Sequence, residues 1–327
     1  MTALQSEAPA GPGDLHVYAV PMRTRFRGID VREGVLVRGA VGWGEFSPFR
    51  EYDDAEAAVW WSAAREAADQ GWPSPVRERV PVNATVPAVE PGEVATVLAG
   101  FPGCRTAKVK VAVAEQSPDD DESRLAAVRD ALGPGGHIRV DANGAWDVDT
   151  AARLLPRYDL AAGGLEYAEQ PCPGVDDLAA LRRRVDVPIA ADESIRRAGD
   201  PMDVARLEAA DVAVLKVQPL GGVRACLRIA ESIGLPVVVS SALETSVGIA
   251  AGVALAAALP ELPYACGLAT VGLLARDVVG DPLVAVEGSL AVRRPEPTPT
   301  AMAAARADDA TVAWWRDRAA RVAGLVA

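Results

Sequence analysis

Thr106-Ala-Lys108-Val-Lys110-Val111, Ile138-Arg139-Val-Asp141-Ala-Asn143, Leu165-Glu-Tyr-Ala-Glu169-Gln-Pro171, Ile189-Ala-Ala-Asp192-Glu193-Ser194 and Val212-Ala-Val-Leu-Lys216-Val-Gln218 are five short apolar runs, each ending in a charged tip. The tips at 110, 141, 169, 192 and 216 are separated by 31, 28, 23 and 24 residues. A strand, a loop, a helix and a second loop use about 25 to 30 residues, so each interval holds one βα unit. Parallel strands that close into a barrel bring their C-terminal ends to one rim. The spacing therefore predicts Lys, Asp, Glu, Asp and Lys around a single mouth.

Three carboxylates converging on one point repel each other unless a cation sits between them. Oxygen donors without Cys or His favour a hard ion such as Mg²⁺, with Mn²⁺ also open. Two lysines flank the acids in strand order and should face each other across that ion. A neutral lysine is a competent general base, and a nearby divalent cation favours its neutral form. A metal with a lysine beside it suits removal of a proton next to a carboxylate, because the enediolate's negative charge is neutralised where it develops.

Lys-x-Lys, Asp-Ala-Asn, Glu-Gln-Pro, Asp-Glu-Ser and a further Lys one unit later resemble the enolase superfamily. The paired lysine positions are similar to its muconate-lactonising subgroup. Arg139 ahead of Asp141, the run Ser240-Ser-Ala-Leu-Glu-Thr-Ser-Val-Gly248, Gly267-Leu268 and the short chain point within that subgroup to dehydratases acting on a succinyl-bearing cyclohexadiene carboxylate. The resemblance implies an α/β fold: a modified TIM barrel of the (β/α)7β type under an α+β capping domain. It implies Mg²⁺ held by Asp141, Glu169 and Asp192, with Lys110 and Lys216 catalytic. Racemases of N-acylamino acids, dipeptide epimerases and cycloisomerases share this constellation and remain alternatives. The last strand, Ala265-Cys-Gly-Leu-Ala-Thr270, lacks the paired aspartates with which dipeptide epimerases hold an amino group. A silent metal-binding scaffold is the alternative outside enzymes.

The 327 residues accommodate one barrel and a smaller domain. Expected divisions are a capping domain at 1–80, the barrel at 81–284, and a segment at 285–327 that packs back on the cap. A net charge of −12 and a pI near 4.8 argue against nucleic acid or an anionic membrane as partner. A small dicarboxylate, met by a monomer or small homo-oligomer, is expected instead. The four cysteines, at 104, 172, 226 and 266, have no metal-type spacing and read as free thiols in a reducing cytoplasm. Met1 to Asp14 is polar, rich in Pro and Gly, lacks the pattern of a signal peptide, and reads as a frayed tail. The apolar run Val247 to Leu259 is too short to span a bilayer.

Strands are expected at Val17–Val20 and Val35–Val41 around a turn at Arg32-Glu33-Gly34, then a helix from Asp53 to Gln70 stopped by Gly71. Arg23 to Arg27 and Phe46 to Tyr52 are the expected lids. Basic residues on the first would suit an anionic substrate, and a solvated basic turn explains them equally well. Pro81 to Val86 reads as the first barrel strand, Leu235 to Ser240 as the seventh and Tyr264 to Leu268 as a weaker eighth. Helices should start at Ser117-Pro118 and Asp200-Pro201, run from Gly221 to Ile233, and close the chain from Thr311 to Val326.

Each site residue also has a plainer explanation. Lys108 and Lys110 share a strand face; on an edge strand both would be merely solvated. Within the barrel, Lys110 is the base and Lys108 tunes its charge. Any one of Asp141, Glu169 and Asp192 could be a helix cap, but three at consecutive junctions favour the metal. Asn143 supports the site from behind or simply serves the turn. Glu193 should point away from the metal. Lys216 is a second base or a fixed cation. Arg139 lies one layer deeper than Asp141, as a bridge to the acids or a substrate contact. Ser240 caps a helix or holds a carboxylate. His16 and His137 lie outside the rim pattern.

Overall fold

Alternating apolar strands and capped helices fix the architecture of this computed structural model, which describes residues 14–197 and 199–326. The expected N-terminal tail lies outside those residues except for Asp14. The chain begins with an antiparallel sheet of β1 (Leu15–Phe26), β2 (Ile29–Arg38) and β3 (Trp43–Phe46), in that order. The β1–β2 turn falls at Arg27-Gly28, not at Arg32-Glu33-Gly34. Both turn residues have left-handed φ, 52° and 74°, as a two-residue hairpin requires. Arg32 to Gly34 instead run inside β2, where Arg32 is buried.

Helix α1 (Asp54–Asp69) follows, its first turn capped by the Asp53 carboxylate, which accepts from the Glu56 amide at 2.8 Å. Gly71 lies just beyond it in the left-handed region. Trp60 and Trp61 on its inner face are almost fully buried.

Pro81 to Val86 divides into two elements. β4 (Arg79–Pro81) leaves the barrel to pair with a late strand, and β5 (Ala84–Val86) is the first barrel strand. Then come α2 (Val94–Ala99), β6 (Thr106–Lys110), α3 (Pro118–Leu132), β7 (His137–Asp141), α4 (Val148–Ala162), β8 (Tyr167–Glu169), α5 (Val175–Arg182) and β9 (Ile189–Ala191). Two short helices, α6 (Glu193–Arg196) and α7 (Asp203–Arg206), precede β10 (Val212–Leu215), α8 (Val223–Ile233), β11 (Val237–Val239) and α9 (Ser246–Ala258). Ser117 caps α3 through a reciprocal exchange with Asp120, with Pro118 in the first helical position. Asp200 accepts from the Met202 amide at 2.9 Å, but regular helix begins only at Asp203. Gly234 ends α8 in the left-handed region, as expected.

The seven barrel strands form one parallel sheet, ordered β5 to β11 without interruption. The expected eighth strand is not a regular one. Two isolated parallel bridges, Val82 to Cys266 and Ser240 to Gly267, join the two edges of the curled sheet. Both faces of the strands are buried, which explains runs of Val, Ala and Ile without polar alternation. The chain then forms β12 (Ser289–Ala291), paired with β4, and the helices α10 (Pro299–Ala304) and α11 (Asp309–Ala323).

Helix α11 packs on the N-terminal layer. Trp315 meets Phe46 edge-on at 5.9 Å, and Phe46 meets Trp61 at 5.2 Å. The buried Arg318 donates to the Phe49 carbonyl at 3.1 Å and to that of Tyr52, fixing the expected second lid from below. No helix among the described residues is long and apolar enough to cross a membrane.

β3 lies on α1 almost backbone to backbone. A Cβ at Gly44 would stand 2.0 Å from the Ala64 carbonyl oxygen. Gly44→Ala should therefore push the layers apart and cost about 1–3 kcal/mol of stability. Denaturant unfolding measures this, and a parent-like midpoint would contradict so close an approach.

Candidate active site

Register builds the site. Lys110 is paired with Asp141 across β6 and β7, and Asp141 with Glu169 across β7 and β8. One layer deeper, Lys108 is level with Arg139 and Tyr167. Asp192 and Lys216 stand one residue past β9 and β10. The five charged tips thus occupy five adjacent strand ends, the acids in the middle and the amines on the outer two.

The side chains interlock. Lys108 Nζ donates to both Glu169 oxygens, at 2.7 and 2.9 Å, and lies 3.3 Å from Asp141 Oδ2. Lys110 Nζ donates to Asp141 Oδ2 at 2.6 Å and to Asn143 Oδ1 at 2.5 Å. Lys216 Nζ donates to Asp192 Oδ2 at 2.5 Å, and Arg196 Nε to Asp192 Oδ1 at 3.0 Å. All three acids are at most 1% exposed.

Their electrostatics follow from that burial. Burial alone would raise Asp141, but Lys110 and then Lys108 hold it well below the usual carboxylate range. Burial likewise opposes ionisation of Asp192, and Lys216 with Arg196 overrides it, bringing the group to about 2. Glu169 goes the other way: burial pushes it up to about 7, Lys108 pulls against this, and Asp141 and Asp192 add to the rise. Burial opposes the charge of Lys108, but Glu169 and Asp141 outweigh it and keep that amine protonated.

Among the described residues, no three acidic, His or Cys side chains converge, as placed, tightly enough to grip one ion. The acids are instead held by amines and a guanidinium. They are nonetheless close enough that two of them raise the third, and their donors are all oxygen. One Glu and two Asp in that condition fit a hard divalent cation, which would relieve their mutual repulsion.

The mouth opens into a cavity of about 470 Å³ lined by Lys108, Lys110, Asp141, Asn143, Lys216 and Ser240, among others. Asn143, at a left-handed φ of 48°, accepts from Lys110 and donates to Glu193 at 3.4 Å. Glu193 also lines the cavity. Strand alternation would turn it away, but the chain enters α6 at that residue, so a helical turn sets its direction.

Arg139 does not line the cavity. It is fully buried below it, donating to Glu166 at 2.5 Å, to Asn83 at 3.2 Å and to the Ala265 carbonyl at 2.7 Å, and stacking on Tyr167. Its partner is thus Glu166 rather than any of the rim acids. Of the first lid's three arginines only Arg27 reaches the cavity. It donates to Glu51 at 2.6 Å and to Tyr52 Oη at 2.9 Å, and lies 3.9 Å from the Phe49 ring centre. Arg23 donates to the Leu274 carbonyl, and Arg25 is exposed.

Sequence reasoning missed Arg196. It joins Asp192 and Glu193 in the barrel to Tyr52 in the lid, whose hydroxyl it reaches at 3.3 Å. Its spacing of four from Asp192 on a short helix was the available signal.

Comparison with known proteins matches residues 94–298 to the enolase C-terminal domain-like family and 17–68 to the enolase N-terminal domain-like family. The chain is 65% identical to an o-succinylbenzoate synthase of Thermobifida fusca, over 93% of this chain and 94% of that one. It is 56% identical to one of Mycolicibacterium smegmatis, over 95% and 96%. Among solved structures, a muconate lactonizing enzyme from Pseudomonas fluorescens complexed with muconolactone superposes with a TM-score of 0.74 at 23% identity, covering 92% of this chain and 97% of that one. An N-succinyl Arg/Lys racemase from Bacillus cereus gives 0.74 at 19% identity, covering 90% and 97%. The two structures share the fold with this chain.

The pairing pattern predicts unequal costs for the two lysines of β6. Lys108→Met leaves two buried carboxylates short of their shared cation and should cost about 3–5 kcal/mol in metal-free buffer. Lys110→Met, whose amine is partly exposed, should cost less. Urea unfolding of both variants compares them; the reverse order would contradict the network described.

Proposed function

Because this chain belongs to the o-succinylbenzoate synthase family of the enolase superfamily, we propose that it dehydrates 2-succinyl-6-hydroxy-2,4-cyclohexadiene-1-carboxylate to 2-succinylbenzoate, a hydro-lyase step of menaquinone biosynthesis carried out in the cytoplasm. The observation that carries the site assignment is that Lys110 and Lys216 line one cavity from strands with three acid-bearing strand ends between them.

Asp141, Glu169 and Asp192 would hold Mg²⁺, or Mn²⁺ in its place. When bound, the cation supplies positive charge to the substrate's ring carboxylate and so acidifies the neighbouring C–H. Lys110, as the free amine, takes the proton from that carbon, and the C–H electron pair enters the enediolate. Lys216, held by Asp192, places an ammonium beside the developing negative charge. Lys108 stays protonated and adds fixed positive charge to the same wall. The ammonium of Lys110 then gives its proton to the departing hydroxyl on the same ring face. The C–O bond breaks, water leaves, and the ring becomes aromatic. One lysine thus acts as base and then as acid, which gives syn stereochemistry. Asn143, accepting from Lys110, keeps the amine aimed at the cavity.

A second reading has support in the same observation, since two-base racemisation of an N-acylamino acid also needs an amine on each side. Incubation with such a substrate in D₂O separates the two. No α-deuterium incorporation into the N-acylamino acid is the expected outcome, and rapid exchange would favour racemisation.

Lys110→Ala should lower turnover by about 10²–10⁴-fold with circular dichroism and melting temperature close to the parent's. Product formation is followed by aromatic absorbance. Chelation of divalent ions should silence the parent reversibly. A variant that retains near-parent rate would remove Lys110 from its role.

A further inference from the structure

Arg32 lies in the middle of β2, far in sequence from every element of the barrel rim, and is only 2% exposed. Burying a guanidinium is costly unless its donors are satisfied. All its hydrogen-bond acceptors are backbone carbonyls. Nε donates to Leu243 at 3.0 Å, Nη1 to Glu33 at 2.9 Å, and Nη2 to Ala242 at 3.2 Å and to Ser47. Its face packs on the Phe49 ring at 4.6 Å. One side chain of the N-terminal sheet thus grips both the loop after β3, which carries the second lid, and the loop after β11.

Ala242 and Leu243 line the cavity, and Arg32 does not. The guanidinium therefore pulls on that wall from behind. In a trans peptide the C=O and the next N–H point in opposite directions. Holding the Ala242 carbonyl toward Arg32 turns the Leu243 N–H away from it, and no acceptor for that N–H is found among the described residues. Leu243 has a left-handed φ of 65°, a conformation a branched side chain adopts only under outside constraint. Glu244 braces the same turn, its carboxylate accepting from the Ala242 amide at 2.6 Å.

We infer that Arg32 is a positioning residue for substrate binding: by fixing the peptide planes at Ala242 and Leu243 it presents the Leu243 N–H as a donor to an oxygen of the bound substrate's carboxylate-bearing side arm. The inference rests on the dehydratase reading. It assigns Arg32 no part in proton transfer, so its loss falls on binding.

The test compares Arg32→Met and Arg32→Lys with the parent, in Mg²⁺, by steady-state dehydration and by calorimetric titration with 2-succinylbenzoate and with benzoate. For Arg32→Met the expected result is a KM and a 2-succinylbenzoate Kd raised about tenfold, with kcat per folded molecule within about twofold of the parent and benzoate binding unmoved. Arg32→Lys keeps the charge but loses the fork, and should fall between. A purely structural arginine would lower the folded fraction and leave KM and Kd unchanged, and that result overturns the proposal. If Arg32→Met does not fold, Arg32→Lys decides, and a parent-like KM overturns it equally. A parent enzyme that neither binds 2-succinylbenzoate nor dehydrates 2-succinyl-6-hydroxy-2,4-cyclohexadiene-1-carboxylate defeats the dehydratase reading itself, a failure visible before any variant is made.

Discussion

Mutual repulsion among three buried carboxylates is the constraint on which the rest of this molecule depends. Asp141, Glu169 and Asp192 come from neighbouring strand ends and are shut off from water. Isolated buried carboxylates would be prohibitively costly, so the chain surrounds them with Lys108, Lys110, Lys216 and Arg196. Even so, Glu169 remains hard to ionise in that company. Two of the groups that balance this charge, Lys110 and Lys216, are also the ones proposed to act on the substrate.

The N-terminal layer completes the barrel's open end. Glu45 on β3 receives Tyr18 Oη at 2.6 Å and Ser47 Oγ at 2.9 Å, and reaches across to the first turn of α9, where the Gly248 amide donates to it at 3.0 Å. A carboxylate there meets the positive end of the helix dipole. Arg32, Glu45 and the Gln218 side chain, which accepts from the Ser47 amide at 3.2 Å, hold the loop after β3 against the rim. Helix α11 secures the same loop from the other side through Arg318. The lid is therefore fixed at its root by polar contacts that span the chain from end to end.

The barrel and its charged rim were legible because they rest on local rules. Apolar runs of fixed spacing report βα units, and a strand's C-terminal residue is its rim residue whatever the rest of the fold does. Capping was equally local, so Asp53 and Ser117 fall where their side chains dictate. The failures share a cause as well. Arg32 and Glu33 looked like turn residues because charge usually means solvent, and the buried arginine is tolerable there only because carbonyls near it in sequence and others more than 200 residues away together accept from it. Glu193 was assigned by strand alternation, which ceases where the helix begins. Arg139 was placed at the right depth, but its partner Glu166 could not be distinguished from the rim acids without knowing which way the side chain leans.

The stitched edge between β11 and β5 has a meaning of its own. Along the other strand ends the barrel wall is anchored in a continuous ladder, where exchanging a residue disturbs both neighbours. At this one place two lone bridges suffice, and the segment from Gly267 onward is free of strand geometry. Gly267 and Thr270 there, with Ser240 and Ser241 opposite, all face the cavity. One side of the chamber can thus change its shape without disturbing the charged residues across from it.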